Sequence, residues 1–191
     1  MSRSFPAVFA AFVLLASACS ASAQLYEERL PACLACHGEQ GRSETENVPS
    51  LGGQPAPYLL IQLYMFREKL RLAEPMNDMA ADLSDAELQR FADTMSKLPP
   101  PAAAGAPDPA RAERVKTVIA QHRCGFCHGA TFAGADSVPR LAGQREDYLL
   151  IALQSYKGGQ RREYQPIMAE IVRPLSDEVL ADLAHYLSRL P

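Results

Sequence analysis

The feature that most constrains this chain is an internal repeat. Four short segments recur at an offset of 90 to 92 residues: CLACHG at 33–38 and CGFCHG at 124–129, VPSLGGQ at 48–54 and VPRLAGQ at 138–144, YLLI at 58–61 and 148–151, and LSD at 83–85 and 175–177. Because their order and spacing are kept, we expect two homologous domains, at residues 24–98 and 109–191. Residues 99–108 are rich in Pro and Ala, which suits a semi-extended linker.

The first 23 residues have the order of a secretory signal peptide. Arg3 supplies the positive start, residues 5–16 are apolar, and the Ala-Ser-Ala sequence at 21–23 provides a cleavage site. The export that this implies predicts a periplasmic protein. Two alternatives stay open, which are retention of the segment as an anchor and lipidation at Cys19.

The overall composition excludes several classes of protein. Apolar residues make up 48% and charged residues 21% of the chain, which is ordinary for a soluble globular protein and too apolar for extended disorder. A formal charge of −3 excludes a broadly basic protein that coats nucleic acid. No stretch suggests a multi-span membrane protein, so any association with a membrane is expected to be peripheral or through a partner.

The spacing of apolar residues predicts an all-α fold. The last segment of each half has a matching apolar stripe, at Leu88, Phe91, Ala92, Met95 and Leu98 and at Leu180, Leu183, Ala184, Leu187 and Leu190. Ser84, with Glu87 three residues on, predicts a capping box, and Ser176 predicts the equivalent cap. Asp108 predicts a further helix start before Pro109. No alternating run argues for a sheet.

Each half carries one Cys-x-x-Cys-His sequence, which is the attachment pattern of c-type haem. Two thiols would add to the vinyl groups of one haem and the adjacent histidine would reach its iron, with these residues in the two halves: Cys33, Cys36 and His37, and Cys124, Cys127 and His128. The sequence therefore predicts two covalently bound haem c groups. The alternatives are two disulfides, since export leads to an oxidising compartment, and a zinc site with ligands from both halves.

The repeat also predicts the sixth iron ligands. Met168 lies eight residues before Ser176, and Met76 lies eight residues before Ser84. Both precede the final helix and closely follow a proline, which suits a loop folded over a haem face. Met79 is the rival of Met76, and core packing is the alternative role of Met79. His/Met ligation leaves no open position for a substrate, so an electron carrier rather than an enzyme is predicted.

Several further residues have two interpretations. His122 and His185 have no Met or Cys partner at ligand spacing and are interpreted as surface or interface residues. Tyr58 and Tyr148 either pack between helices or hydrogen-bond near a haem carboxylate. Four arginines are interpreted as solvated charges, with pairing to haem carboxylates as the alternative: Arg140, Arg145, Arg161 and Arg162.

The chain resembles the tandem dihaem class I cytochromes c of the c4 type over essentially the whole mature chain. The resemblance rests on both attachment motifs, on the V-P-x-L-x-G-Q-x(3)-Y-L segments and on the M-x(7)-S-D spacing. The resemblance implies two cytochrome c domains that face each other and periplasmic electron transfer, often toward a terminal oxidase. It also implies that the carbonyls of Pro49 and Pro139 accept hydrogen bonds from Nδ1 of His37 and His128. The alternative role of these prolines is simply turn geometry.

The first half departs from the family pattern in two places. Pro31 is expected to interrupt the first helix just before the haem motif. The last helix of this half also lacks an aromatic residue where the second half has Tyr186. Both departures concern the packing around the first haem rather than its ligands.

The main functional hypothesis is a periplasmic shuttle that carries single electrons between respiratory donors and an acceptor such as a terminal oxidase. The alternative is the dihaem subunit of a dehydrogenase complex, for instance one that oxidises sulfide through a flavin. A third hypothesis, an enzyme in its own right, would need an exchangeable iron ligand. The partners implied are redox proteins, with no nucleic acid.

Overall fold

The computed structural model describes residues 26–161 and 165–191, and within these ranges the chain is helical, with a single isolated β-bridge between Ala135 and Val138. The predicted signal peptide, Cys19 and Arg162 lie outside the described residues. The helices of the described ranges are α1 (residues 26–37), α2 (Ala56–Arg67), α3 (Met76–Ala80), α4 (Asp85–Lys97), α5 (Pro109–Gln121), α6 (Cys124–His128), α7 (Glu146–Lys157), α8 (Pro166–Val172) and α9 (Asp177–Leu187). The all-α prediction is confirmed.

The predicted helix starts are confirmed by their hydrogen bonds. Ser84 Oγ accepts the Glu87 backbone N–H at 3.3 Å, and Glu87 Oε2 accepts the Ser84 N–H at 2.9 Å, which closes the capping box of α4. Ser176 and Asp108 likewise accept backbone N–H groups from the first turns of α9 and α5. These side chains satisfy donors that the helix itself leaves unpaired.

The expectation that Pro31 interrupts the first helix is wrong. Residues 26–37 are continuously helical, and Pro31 lies on the exposed face, where the backbone carbonyl that loses its partner can bind water. The break occurs in the second half instead. There Arg123 adopts a left-handed conformation, with φ of 50°, and separates α5 from α6.

Each half has its own buried core, built where its first helix crosses its last. The first core includes Tyr26, Phe66, Leu88 and Phe91, and the second includes Val115, Val172, Leu180 and Leu183. Tyr26 stacks on Phe91 with ring centroids 4.6 Å apart, and its hydroxyl donates to Thr94 Oγ1 at 2.6 Å. Helix α1 thus brings a tyrosine to Thr94, the residue of α4 that stands where the second half has Tyr186.

The segment between the halves packs along the second of them. Ala104 N donates to the Ser188 carbonyl at 3.0 Å, and Asp108 N donates to His185 Nε2 at 3.0 Å. His185 is 9% exposed, so its interpretation as a surface residue is wrong, while its contact with this connecting segment agrees with an interface role. Its ring also lies 3.4 Å from Glu146 Oε2.

None of the helices in the described ranges is both long enough and apolar enough to cross a bilayer.

Candidate functional site

The two motif histidines occupy equivalent, buried positions at helix ends. His37 ends α1 and His128 ends α6. His37 Nδ1 lies 2.8 Å from the Pro49 carbonyl oxygen, and His128 Nδ1 lies 3.0 Å from that of Pro139. Because a carbonyl can only accept, Nδ1 of each ring carries the proton and the Nε2 lone pair is left available for a metal. The hydrogen bonds implied by the family resemblance are present in both halves.

Burial sets the protonation state of the same rings. Desolvation lowers the pKa of His37 and of His128, and the bond to each proline carbonyl offsets only part of that effect. Both imidazoles are therefore neutral near pH 7, which is the form that binds a metal.

The four motif cysteines repeat one pattern of exposure. Cys33 and Cys124 are half-buried, Cys36 and Cys127 are exposed, and none forms a disulfide. Burial raises the pKa of the Cys33 and Cys124 thiols, whereas zinc requires thiolates. No three His, Cys, Asp or Glu side chains of the described residues converge on one point. This arrangement gives no support to the disulfide or zinc alternatives.

A cavity of about 430 Å³ opens beside α6 in the second half. The motif residues Cys124, Cys127 and His128 line it, and so does Met168. Much of the remaining wall is apolar and includes Val118, Leu149, Leu153, Val172 and Leu183. Two thiols, a neutral imidazole and a thioether around an apolar cavity are the donor set that haem c requires, so these residues fit that group.

The candidate methionine ligands lie in short helices rather than in the loops expected. Met168 is the third residue of α8, and Met76 is the first residue of α3. Met76 packs against the same buried cluster as Cys33, whereas Met79 is 43% exposed. The environment of Met76 therefore matches that of an inward-facing ligand better than the environment of Met79 does.

Arginine and tyrosine side chains from both halves meet between them. Arg71 Nη2 and Arg161 Nη2 donate to the Tyr148 hydroxyl at 3.3 and 3.4 Å. Burial raises the pKa of Tyr58. Burial also opposes ionisation of Tyr148, but the charges of Arg71 and Arg161 outweigh it and lower the pKa of Tyr148 to about 7. Two enclosed cations favour an anion beside them, and haem carboxylates have that charge.

Comparison with known proteins identifies the family. The family model described as cytochrome c matches residues 112–191. Cytochrome c4 of Thiocapsa roseopersicina is 33% identical over 172 aligned residues, which cover 83% of this chain and 86% of that protein. The chain belongs to the cytochrome c4 family.

Two further relatives extend this result. The solved structure of cytochrome c4 from Acidithiobacillus ferrooxidans has a TM-score of 0.73 at 30% identity, over 83% of this chain and 98% of that one. The thiosulfate dehydrogenase electron acceptor of Stutzerimonas stutzeri strain A1501 is 32% identical over 170 residues, 83% of this chain and 79% of that protein. The chain is thus a dihaem cytochrome with class I folds and covalent haem c, and it is an electron carrier rather than an enzyme.

The structure places the remaining arginine and histidine residues in different environments. Arg140 lines the cavity, as Arg161 does, while burial lowers the pKa of Arg140. Arg145 does not line it and pairs instead with Asp147 at 2.6 Å. His122 is half-buried on the cavity wall.

Sequence reasoning missed Arg71 and gave no role to Gln54 or Gln144. Arg71 stands 90 residues before Arg161, so the offset of the repeat could have identified it. Gln54 and Gln144 end the recurring segment and are 5% and 3% exposed. Burial of two amides at equivalent positions implies specific partners, and both find them across the interface between the halves.

Proposed function

We propose that this cytochrome is a periplasmic shuttle that takes single electrons from a respiratory donor and passes them to an acceptor such as a terminal oxidase. In this proposal residues 1–23 direct export, residues 24–98 and 109–191 are the two haem domains, and residues 99–108 link them. The observation that carries it is the buried, neutral histidine held by a proline carbonyl in each half.

The proposed attachment and ligation are the same in both domains. One haem is attached through Cys33 and Cys36 and the other through Cys124 and Cys127. The residues that would hold the iron are His37 and Met76 in one domain and His128 and Met168 in the other. When bound, each haem would supply one-electron chemistry between ferric and ferrous iron, and His/Met ligation would favour a relatively high potential.

The chain's own residues would support this one-electron chemistry in three ways. Each proline carbonyl fixes the tautomer and the direction of one imidazole, so that the ring need not reorient when the charge of the site changes. The apolar wall around Met168 would limit the access of water to an iron held there. Arg71 and Arg161 supply positive charge where the two halves meet, which would offset the carboxylates of both groups.

The experiment is a reductive titration of the exported, mature protein. We expect two electrons per chain, one per haem, with a Met–iron charge-transfer band on each. A missing band on either haem in the untreated protein would reject His/Met ligation there. A protein without colour, or with the mass of its amino acids alone, would reject the sites altogether.

A second candidate is favoured by the similarity to the thiosulfate dehydrogenase electron acceptor. In that case the chain would serve as the electron-accepting partner of a dehydrogenase. Stopped-flow mixing separates the two possibilities, since a dehydrogenase partner would reduce the ferric cytochrome rapidly when given its substrate. Rapid oxidation of the ferrous protein by oxidase-containing membranes, without stable co-elution with a dehydrogenase, supports the shuttle.

A further inference from the structure

The two halves are joined by a reciprocal pair of amide contacts. Gln144 Nε2 donates to the Ser50 carbonyl at 2.8 Å, and Ser50 N donates to Gln144 Oε1 at 2.8 Å. In the other direction, Gln54 Nε2 donates to the Arg140 carbonyl at 2.9 Å, and Arg140 N donates to Gln54 Oε1 at 3.0 Å. Each buried carboxamide thus forms two hydrogen bonds to the backbone of one residue in the opposite half.

The residues bound in this way are those that follow the histidine-binding prolines. The carbonyl of the peptide group between Pro49 and Ser50 accepts from His37, and the N–H of that same group donates to Gln144. In the other half, the peptide group between Pro139 and Arg140 connects His128 to Gln54. One planar, conjugated group therefore lies between each histidine of one half and a glutamine of the other.

Such a group transmits polarisation. A hydrogen bond accepted from the amide N–H increases the negative charge on the carbonyl oxygen, and successive bonds strengthen one another by roughly 10–30%. A stronger carbonyl acceptor makes the imidazole more electron-rich, which stabilises the ferric over the ferrous state.

We propose that Gln144 is a positioning residue for His37 and that Gln54 is a positioning residue for His128, so that each half tunes the iron site of the other through a single peptide group. This rests on the proposed function, because it takes His37 and His128 as iron ligands. It gives the reciprocal interface a role in the relative potentials of the two haems as well as in docking.

The test is potentiometric titration of the holoprotein with Gln144→Met, which keeps the length of the side chain and removes both hydrogen bonds to Ser50. It also removes the bond that Gln144 Oε1 accepts from Arg145 N at 3.0 Å, within its own half. Gln144 and Gln54 both line the cavity of the second half, so a local change of polarity would act mainly on the second haem. The proposal expects the larger change at the first haem instead. The first haem should become easier to reduce, by about threefold in its equilibrium constant, or about 28 mV at 59 mV per tenfold, while the second changes less.

The two titration steps are first assigned with Met76→His and Met168→His, each of which lowers the potential of its own haem. If neither variant moves a step, the ligand proposal fails. Suppose instead that both ligand variants move a step. If Gln144→Met then shifts the potential of the second haem more than that of the first, or shifts both potentials equally, only the proposal about the peptide group is overturned. Gln54→Met is the companion variant and should shift the second haem more than the first.

If Gln144→Met yields no holoprotein, Gln144→Glu provides the same comparison at unchanged size. Its carboxylate loses the donor to the Ser50 carbonyl but still accepts from Ser50 N and is the stronger acceptor there, so the potential of the first haem should fall by more than that of the second. A larger fall at the second haem, whose cavity residue 144 lines, would overturn the proposal.

Discussion

The two halves hold their histidines in the same way, yet they join first and last helices by different chemistry. In the first half, the Arg90 guanidinium lies 3.7 Å from the ring centroid of Tyr26, which stacks on Phe91. In the second half, the position of Arg90 is taken by Asp182, which accepts from Arg111 at 2.6 Å and Arg114 at 2.7 Å. The helix crossing is retained, while the contact at this position changes from a cation over an aromatic ring to a carboxylate between two arginines. Two ion pairs also join α1 to α4, Arg90 with Glu27 at 3.0 Å and Arg29 with Glu87 at 3.4 Å.

A second difference concerns the segment that carries the methionine. Asn77, directly after Met76, is 2% exposed and donates through Nδ2 to the carbonyls of Phe66 and Arg71, both at 2.8 Å. Its Oδ1 accepts from Ala73 N at 2.7 Å. Ala169 follows Met168 in the second half and has no side chain to make such bonds. Asn77 therefore holds the methionine segment of the first half by polar bonds that Ala169 cannot make at the equivalent position of the second half.

The largest effect is expected from the methionines. Met76→Ala should abolish the charge-transfer band of the first haem and lower its potential by on the order of 0.1 V, since axial ligands set haem potentials over about 0.8 V. Met168→Ala should do the same to the second haem. Met79→Ala is the matched control and should keep both bands, because its side chain is 43% exposed. Loss of a band in Met79→Ala with retention in Met76→Ala would reverse the assignment.

The next largest effect is a loss of stability that is specific to the first half. Asn77→Ala removes three hydrogen bonds to buried or half-buried backbone groups, and we expect a loss of about 2–4 kcal/mol in the free energy of unfolding of that half. Denaturant titration followed at the Met–iron band should show the first haem losing its methionine earlier than the second. Asp78→Ala, at the exposed neighbouring residue, is the control. Equal sensitivity of both haems would show that this segment is not held by Asn77.

Local features of each half could be predicted from the sequence because they depend on neighbouring residues. The capping side chains Ser84, Asp108 and Ser176 act within a single turn, so a pattern of four residues reveals them. The bond from His37 to Pro49 was implied only by the family resemblance, although it spans just 12 residues and recurs with the repeat.

Features that depend on how helices dock could not be predicted in this way. Pro31 is tolerated because it lies on the solvent face of α1, which the local sequence alone does not reveal. His185 is buried because the connecting segment returns across α9. The contacts of Gln54 and Gln144 join residues 86 to 94 positions apart, and the repeat that defines each half contains no information on how the halves face each other.

A smaller loss of stability is expected when the ionic contact between α5 and α9 of the second half is removed. Asp182→Asn leaves Arg111 and Arg114 without their carboxylate. Its side chain is 4% exposed while those of the arginines are 27% and 50% exposed. The expected loss in free energy of unfolding lies between the roughly 1 kcal/mol of exposed pairs and the roughly 3–5 kcal/mol of buried ones. Thermal unfolding followed at the second haem should report it, and the first haem should be unaffected.

The contact of Asp182 with the two arginines also predicts that stability depends on pH. The bonds from Arg114 and Arg111 lower the pKa of Asp182, although burial opposes this. A carboxylate with a lowered pKa stabilises the fold fully above its unfolded value of about 4 and loses that contribution as pH falls through the folded value. The difference in stability between wild type and Asp182→Asn should therefore shrink in acid. Glu87 and Asp147, whose pKa values are also lowered, remain in both proteins and cancel.

The smallest effect should come from Arg90, because its side chain is 45% exposed. A cation over an aromatic ring at an exposed site contributes about 0.5–1 kcal/mol, so Arg90→Gln should lower the free energy of unfolding of the first half by about that amount. Arg90 also pairs with Glu27 at 3.0 Å, and Glu27→Gln, which keeps the stacking on Tyr26, isolates that ion pair. We expect the Glu27 variant to change stability by less than the Arg90 variant. If the two losses were equal, the whole contribution of Arg90 would come from its ion pair with Glu27, and the contrast between an aromatic and an ionic contact at this position would not hold.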